Sequence, residues 1–308
     1  MVGKTPRPPV TRILVLGSRG RVGAALVRQW LENHTVQALA RPELDAADLP
    51  ALERLLDRFE FDILVNATGL TNVDRCESAR DEAVTVNTEA PSLMARVAAA
   101  KGARFIHFST DYVFDGTQTR PYTENDPARP LGHYGATKLA GEAAALAASS
   151  RHLVLRVSWV FGPDKPSFVD MIIERALAND RVEAIADKTS SPTAAEDIAG
   201  WVEPFLTDSN ELPGGLYHAC NAGGCTWQAY GQYTLDCALK AGWPLRARTV
   251  EPIALADMNN FSAPRPPHTV MDTTKLSTVI ERSPRPWQEA LEEFLLWKFR
   301  NSLKVAGQ

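Results

Sequence analysis

The chain has 308 residues, 44% hydrophobic and 23% charged, with a formal net charge of -4. That length suits one large α/β unit or a nucleotide domain with a smaller companion, and the acidic balance offers no general attraction to nucleic acid or to a membrane surface. No apolar run approaches the roughly 20 residues of a spanning helix, and the first residues lack the apolar stretch of a signal peptide. Four cysteines, Cys76, Cys220, Cys225 and Cys237, show neither a CxxC pair nor a histidine at metal spacing. A cytoplasmic protein with free thiols and no metal is expected, and any phosphate-bearing partner must be held by local groups.

Residues 1–11, with Pro6, Pro8 and Pro9, read as a disordered lead-in. Residues 12–158 then repeat a short apolar run, a turn, and a stretch with apolar residues three and four apart, the pattern of βαβ units. Ile13 to Leu16 predicts a strand, Val22 to Glu32 a helix, Val36 to Leu39 a second strand and Leu49 to Phe59 a second helix. Ile63 to Val65 and Phe105 to Phe108 continue the strands around a helical stretch from Glu89 to Ala100, and Leu139 to Ala148 and His152 to Leu155 add another helix and strand. Strands apolar on both faces belong in a parallel sheet covered on each side by helices. The expected class is α/β, a doubly wound (Rossmann) parallel sheet with a smaller C-terminal substrate-binding region. Beyond Trp159, Pro163, Pro166, Pro192 and Pro213 and two glycine pairs break residues 159–308 into shorter pieces. Within them Ile198 to Leu206 and Gly215 to His218 read as a helix and strand returning to the sheet near 196–220, and Trp287 to Phe299 as a closing helix.

The segment Gly17-Ser18-Arg19-Gly20-Arg21-Val22-Gly23 follows the first strand and opens a helix. Glycines let such a turn close and its backbone approach a pyrophosphate, while the helix N-terminus offers free N–H groups and a positive dipole end. A glycine triplet alone is equally a plain strand-to-helix turn; the βαβ series behind it raises the nucleotide reading. The second strand ends Leu39-Ala40-Arg41, with no acidic residue for a ribose hydroxyl, so Arg19 and Arg41 point to a 2′-phosphate and to NADPH, with NADH as the alternative. As bland readings, both arginines are solvated charges, and Asp45 caps the helix near Leu49 instead of reaching an adenine. Asn66-Ala67-Thr68-Gly69 supplies small residues where backbone would lie against a ribose.

Tyr134 and Lys138 stand four apart, on one face of a helix. A neighbouring ammonium stabilises a phenolate, which makes the tyrosine a better proton donor to a carbonyl that receives hydride. Ser109-Thr110, at the end of the strand around Phe105 to Phe108, adds a hydroxyl for the substrate oxygen.

With these residues the chain resembles the extended short-chain dehydrogenase/reductases, and among them the dTDP-4-dehydrorhamnose reductase family. The resemblance is carried by Gly17 to Gly23, Asp62 to Ala67, Val73 to Glu77, Val86-Asn87, Ser109 to Gly116, Tyr134 to Lys138, Ser158 to Gly162, Ser191 to Thr193, and Arg265 through Leu276. It implies an NADPH-dependent reduction of a nucleotide-linked 4-keto-6-deoxysugar. Thr110 would hydrogen-bond the keto oxygen, Tyr134 protonate it, and Lys138 tune Tyr134 and bind the nicotinamide ribose. It further implies that Asp111, Tyr112 and Trp159 line the sugar pocket and that Asn87 supports a relay water, and it leaves a homodimer open. Thr68-Gly69 and Val157 depart from the family's usual alanines and threonine. Two rival readings share the fold. A nucleotide-sugar dehydratase would need an acid/base pair after Thr110, where this chain has Asp111-Tyr112, and an epimerase would retain tightly held NAD, against which the Arg41 end of the second strand argues; a non-catalytic subunit resembling the regulatory beta subunit of methionine adenosyltransferase would act through a partner.

Overall fold

A computed structural model describes residues 11–206 and 212–306; the lead-in expected for 1–11 falls outside them except for Thr11. Six parallel strands form the central sheet: β1 (Arg12–Leu16), β2 (Thr35–Leu39), β3 (Ile63–Asn66), β4 (Arg104–Thr110), β5 (Leu153–Val157) and β10 (Gly215–His218), in the order β10-β5-β4-β3-β1-β2. Successive β1 side chains enter different cores, as the two-residue period of a strand requires. Ile13 and Val15 pack with Leu26, Trp30 and Trp201, while Leu14 and Leu16 pack with Leu52, Leu64 and Met94.

Helices α1 (Arg21–Trp30), α2 (Leu49–Arg58), α3 (Val73–Ser78), α4 (Arg80–Val84), α5 (Ala90–Ala100) and α6 (His133–Ala148) fill the connections, with a π turn at Thr85–Glu89 between α4 and α5. The two-residue strands β6 (Val160–Phe161) and β9 (Thr193–Ala194) pair with each other, as do β7 (Val182–Ile185) with β12 (Val250–Ile253) and β8 (Thr189–Ser190) with β11 (Cys225–Thr226). Around them lie α7 (Phe168–Ala178), α8 (Ala195–Val202), α9 (Trp227–Lys240), α10 (Thr274–Val279) and α11 (Trp287–Ala306). Phe161, Ile172, Tyr230, Trp287 and Phe294 form a separate core there. This part is thus less fragmented than its prolines suggest, because α9 runs 14 residues and α11 runs 20.

Strand order reverses between β1 and β3, where connections leave for opposite sides of the sheet and open a crevice at the strands' carboxyl ends. Ala67 N–H donates to the Leu16 carbonyl at 2.9 Å and closes the floor of that crevice. The catalytic-motif helix α6 begins at His133, six residues before the stretch expected from apolar periodicity. Its first turn carries no capping side chain of its own. Glu77 of α3 supplies the cap from a distance, accepting the His133 N–H at 2.6 Å.

Candidate active site

Two cavities lie along the crevice. One, of about 520 Å³, is lined by Ser109, Thr110, Asp111, Tyr112, Tyr134, Lys138 and Trp159, so the structure gathers the expected catalytic and sugar-site residues at one place. The other, of about 480 Å³, is lined by Gly17, Arg19, Gly20, Arg41, Ala67 and Thr68. Gly17 has φ +87°, and a Cβ there would meet the Ala67 carbonyl at 2.6 Å; only glycine permits this turn. Ser18 holds the turn to β2 through its N–H and the Leu39 carbonyl at 3.1 Å. The α1 N-terminus at Gly20 has no capping side chain and no acidic residue in its first turn; Gly20, Arg21 and Val22 line the larger cavity, while Gly23 packs closely against the Gly17 carbonyl.

The remaining nucleotide-site candidates divide. Arg19 donates to the Arg41 carbonyl at 2.8 Å, and Arg41 reaches Asp45 at 3.5 Å. Asp45 does not line the cavity; it accepts the Ala47 N–H at 3.1 Å, while Asp48 caps α2. The Arg21 guanidinium turns away from the glycine turn and donates to the Pro166 carbonyl at 2.8 Å.

Tyr134 and Lys138 are both buried on α6. Burial pushes the Tyr134 phenol up, Thr110 hydrogen bonding pulls it down and Asp111 raises it. Lys138 stands one helical turn away, its Nζ donating to the Phe108 carbonyl at 2.6 Å. Burial brings the Lys138 ammonium down to about 8 against the opposing pull of Glu142. The site therefore keeps a protonated phenol at neutral pH, the state a proton donor requires.

Behind Lys138 lies a set of polar contacts that the sequence did not signal. Asn66 accepts the Thr68 N–H at 2.9 Å through Oδ1, which leaves its Nδ2 facing His107 Nδ1 at 3.1 Å. The other ring nitrogen, Nε2, lies 3.4 Å from Lys138 Nζ. Burial, with Lys138 adding to it, holds His107 well below its ordinary value. A histidine inside an apolar strand was the available clue, and at strand centre it is usually a packed core residue.

Asp111 is buried, and its carboxylate is occupied: Oδ2 accepts from Thr269 at 2.6 Å and Ser158 at 2.9 Å, and Oδ1 from Thr110 at 3.1 Å. It orients Thr110 and joins β4 to the C-terminal region. Asn87 has a local structural task. Its amide clamps Leu70, accepting the N–H at 2.9 Å and donating to the carbonyl at 3.0 Å. Trp159 adopts φ 45° and packs against Phe168, Trp227 and Tyr230 at centroid distances of 5.2, 5.1 and 4.8 Å. A bulky residue in that region is strained and is held by its surroundings. The aromatic cluster fixes its indole at the wall of the larger cavity.

Comparison with known proteins finds relatives that match nearly the whole chain. The family described as RmlD substrate binding domain matches residues 11–300. The dTDP-4-dehydrorhamnose reductase of Streptomyces griseus is 34% identical over 94% of this chain and 93% of its own. A probable dTDP-4,6-dihydroxy-2-methyloxan-3-one 4-ketoreductase of Streptomyces antibioticus is 34% identical over 92% of this chain and 94% of its own. The fold is shared with the crystal structure of dTDP-4-dehydrorhamnose reductase from Bacillus anthracis in complex with NADP, at a TM-score of 0.85 and 24% identity, covering 93% of this chain and 99% of that one. The chain belongs to the RmlD substrate binding domain family.

Proposed function

We propose that this chain is an NADPH-dependent reductase of a nucleotide-linked 4-keto-6-deoxysugar, converting dTDP-4-dehydro-L-rhamnose to dTDP-L-rhamnose. The observation that carries the reading is the convergence of Thr110, Tyr134 and Lys138 on one cavity that shares its wall with the glycine turn. A dinucleotide fits the residues present: Gly17 leaves a cradle that a Cβ would fill, the α1 N-terminus is open, and the buried Ser109 hydroxyl has no partner among the described residues. When bound, NADPH supplies the hydride. Arg19 and Arg41 favour its 2′-phosphate, with NADH the weaker alternative. Tyr134 holds a proton for the keto oxygen, Thr110 orients that oxygen, and Lys138 stands one helical turn away to compensate charge on the phenol as the proton leaves.

Elimination chemistry is disfavoured because Tyr112, where a dehydratase needs a base, is a half-buried phenol that desolvation and the neighbouring Asp111 push up. The intact catalytic trio supports an enzyme over a purely regulatory subunit. The 4-ketoreductase relative extends the substrate class to neighbouring dTDP-ketosugars. Tyr134→Phe tests the assignment. It removes the donor without reshaping the pocket, so turnover should fall at least about 100-fold while NADP⁺ affinity stays within about twofold. Retained turnover in the phenylalanine variant contradicts it.

A further inference from the structure

The two cavities share Gly20, Ala67, Thr68, Gly69 and Lys165, and of these only Lys165 is charged. It lies outside the glycine motif, on the segment Pro163 to Ser167 between β6 and α7. That segment is pinned along its length. Arg28 makes two hydrogen bonds to Asp164, at 2.8 and 3.1 Å. Arg21 donates to the Pro166 carbonyl at 2.8 Å and reaches the Lys165 carbonyl at 3.5 Å. Ser167 and Asp170 form a capping box at the start of α7, and Asp170 is held in turn by Lys298 at 2.6 Å. The backbone is thus fixed across the crevice, while the Lys165 ammonium has no hydrogen-bond or ion-pair partner among the described residues.

The neighbouring cations are engaged. Around the smaller cavity Arg19 holds the Arg41 carbonyl, Arg41 pairs with Asp45, and Arg75 pairs with Glu82 at 2.7 Å. Around the larger one Arg21 is tied to the strap and Lys138 to Phe108. An unpaired ammonium facing an uncapped helix N-terminus adds positive potential where free backbone N–H groups already favour an anion. With a ribose at each cavity, the group spanning their junction is a diphosphate.

We propose that Lys165 is a cofactor-binding residue, closing over the diphosphate of the dinucleotide from the side opposite the α1 N-terminus, while Arg21 holds the strap that carries it. The assignment rests on the dinucleotide reading above. A nucleotide-sugar substrate also brings a diphosphate, but the residues sharing the junction with Lys165 belong to the β1–α1 turn and the β3 end, which favours the cofactor.

Equilibrium binding to the full-length protein tests it, with NADP⁺, adenosine 2′-monophosphate and dTDP as separate probes. Loss of one charge-assisted contact predicts that Lys165→Met raises the Kd for NADP⁺ about tenfold. Lys165→Glu should raise it further, and Lys165→Arg should stay within about twofold of wild type. Affinity for adenosine 2′-monophosphate, which has no diphosphate, and for dTDP should be unchanged. Because the side chain is exposed, all variants should keep the wild-type melting temperature. Equal NADP⁺ affinity in the methionine and glutamate variants overturns the proposal. Weakened dTDP binding with NADP⁺ unaffected overturns it in favour of the substrate's diphosphate. Failure of the wild type itself to bind NADP⁺ overturns the underlying functional reading.

Discussion

The grouping of Thr110, Tyr134 and Lys138 at one cavity was legible in the sequence, where helical spacing alone puts Tyr134 and Lys138 on one face. What spacing cannot convey is which group each polar atom meets. Asp111 reads as a pocket carboxylate, yet Ser158 and Thr269 reach it from distant parts of the chain and occupy it. Lys138 reads as the partner of Tyr134, yet the end of β4 supplies the nearest acceptor, the Phe108 carbonyl. At this scale Arg19 and Arg41 make a direct prediction. Arg41 is 75% exposed and its contact with Asp45 is long at 3.5 Å, so that pair is weak and gives way readily to a phosphate. Replacing both arginines by alanine should raise the Kd for NADPH about tenfold and leave that for NADH within about twofold. Parallel loss of both affinities would remove the arginines from cofactor selection.

Among elements, the buried strands were legible from unbroken apolar runs, and their ends moved by only a residue or two. The start of α6 was not, because His133 to Lys138 has no apolar stripe and its cap comes from Glu77. Gly135 in this first turn has a structural task that the sequence does not announce. A Cβ there would meet the Tyr112 carbonyl at 2.2 Å, so glycine lets the helix lie against the segment after β4. One turn beyond Lys138, Glu142 and Arg156 form a buried pair with hydrogen bonds of 2.9 and 2.7 Å, joining α6 to β5. Their side chains are only 3% and 4% exposed. Breaking such a pair leaves an uncompensated buried charge. Glu142→Gln should therefore lower unfolding free energy by about 3 kcal/mol in urea titration. A loss below about 1 kcal/mol would show that Arg156 finds another partner.

For the whole molecule, the C-terminal region is bound to the nucleotide half through polar ties that have no local sequence signature. Arg265 grips Asp74 of α3, and Thr269 grips Asp111. Beside them Lys188 is buried, donating to the Pro266 carbonyl at 2.6 Å, and burial lowers it from 10.5 to about 8 against the pull of Asp111. A lysine depressed on folding binds its proton more tightly when unfolded, so its contribution to stability rises with pH between the two values. Measured against Lys188→Met, the wild type should gain about 1 kcal/mol between about pH 7.5 and pH 9. The comparison cancels the opposing effect of thiols such as Cys76, which burial raises from 9.0 to about 11. A flat difference would mean that Lys188 titrates normally in the folded state.

Catalysis by the assembled site is the property on which the proposed function depends most directly. Oxidation of NADPH should be followed by its near-ultraviolet absorbance with dTDP-4-dehydro-L-rhamnose as substrate and a parallel NADH trial. Rapid oxidation that depends on the ketosugar, faster with NADPH than with NADH, is the predicted result. No ketosugar-dependent oxidation by a wild-type protein that binds NADPH would contradict it.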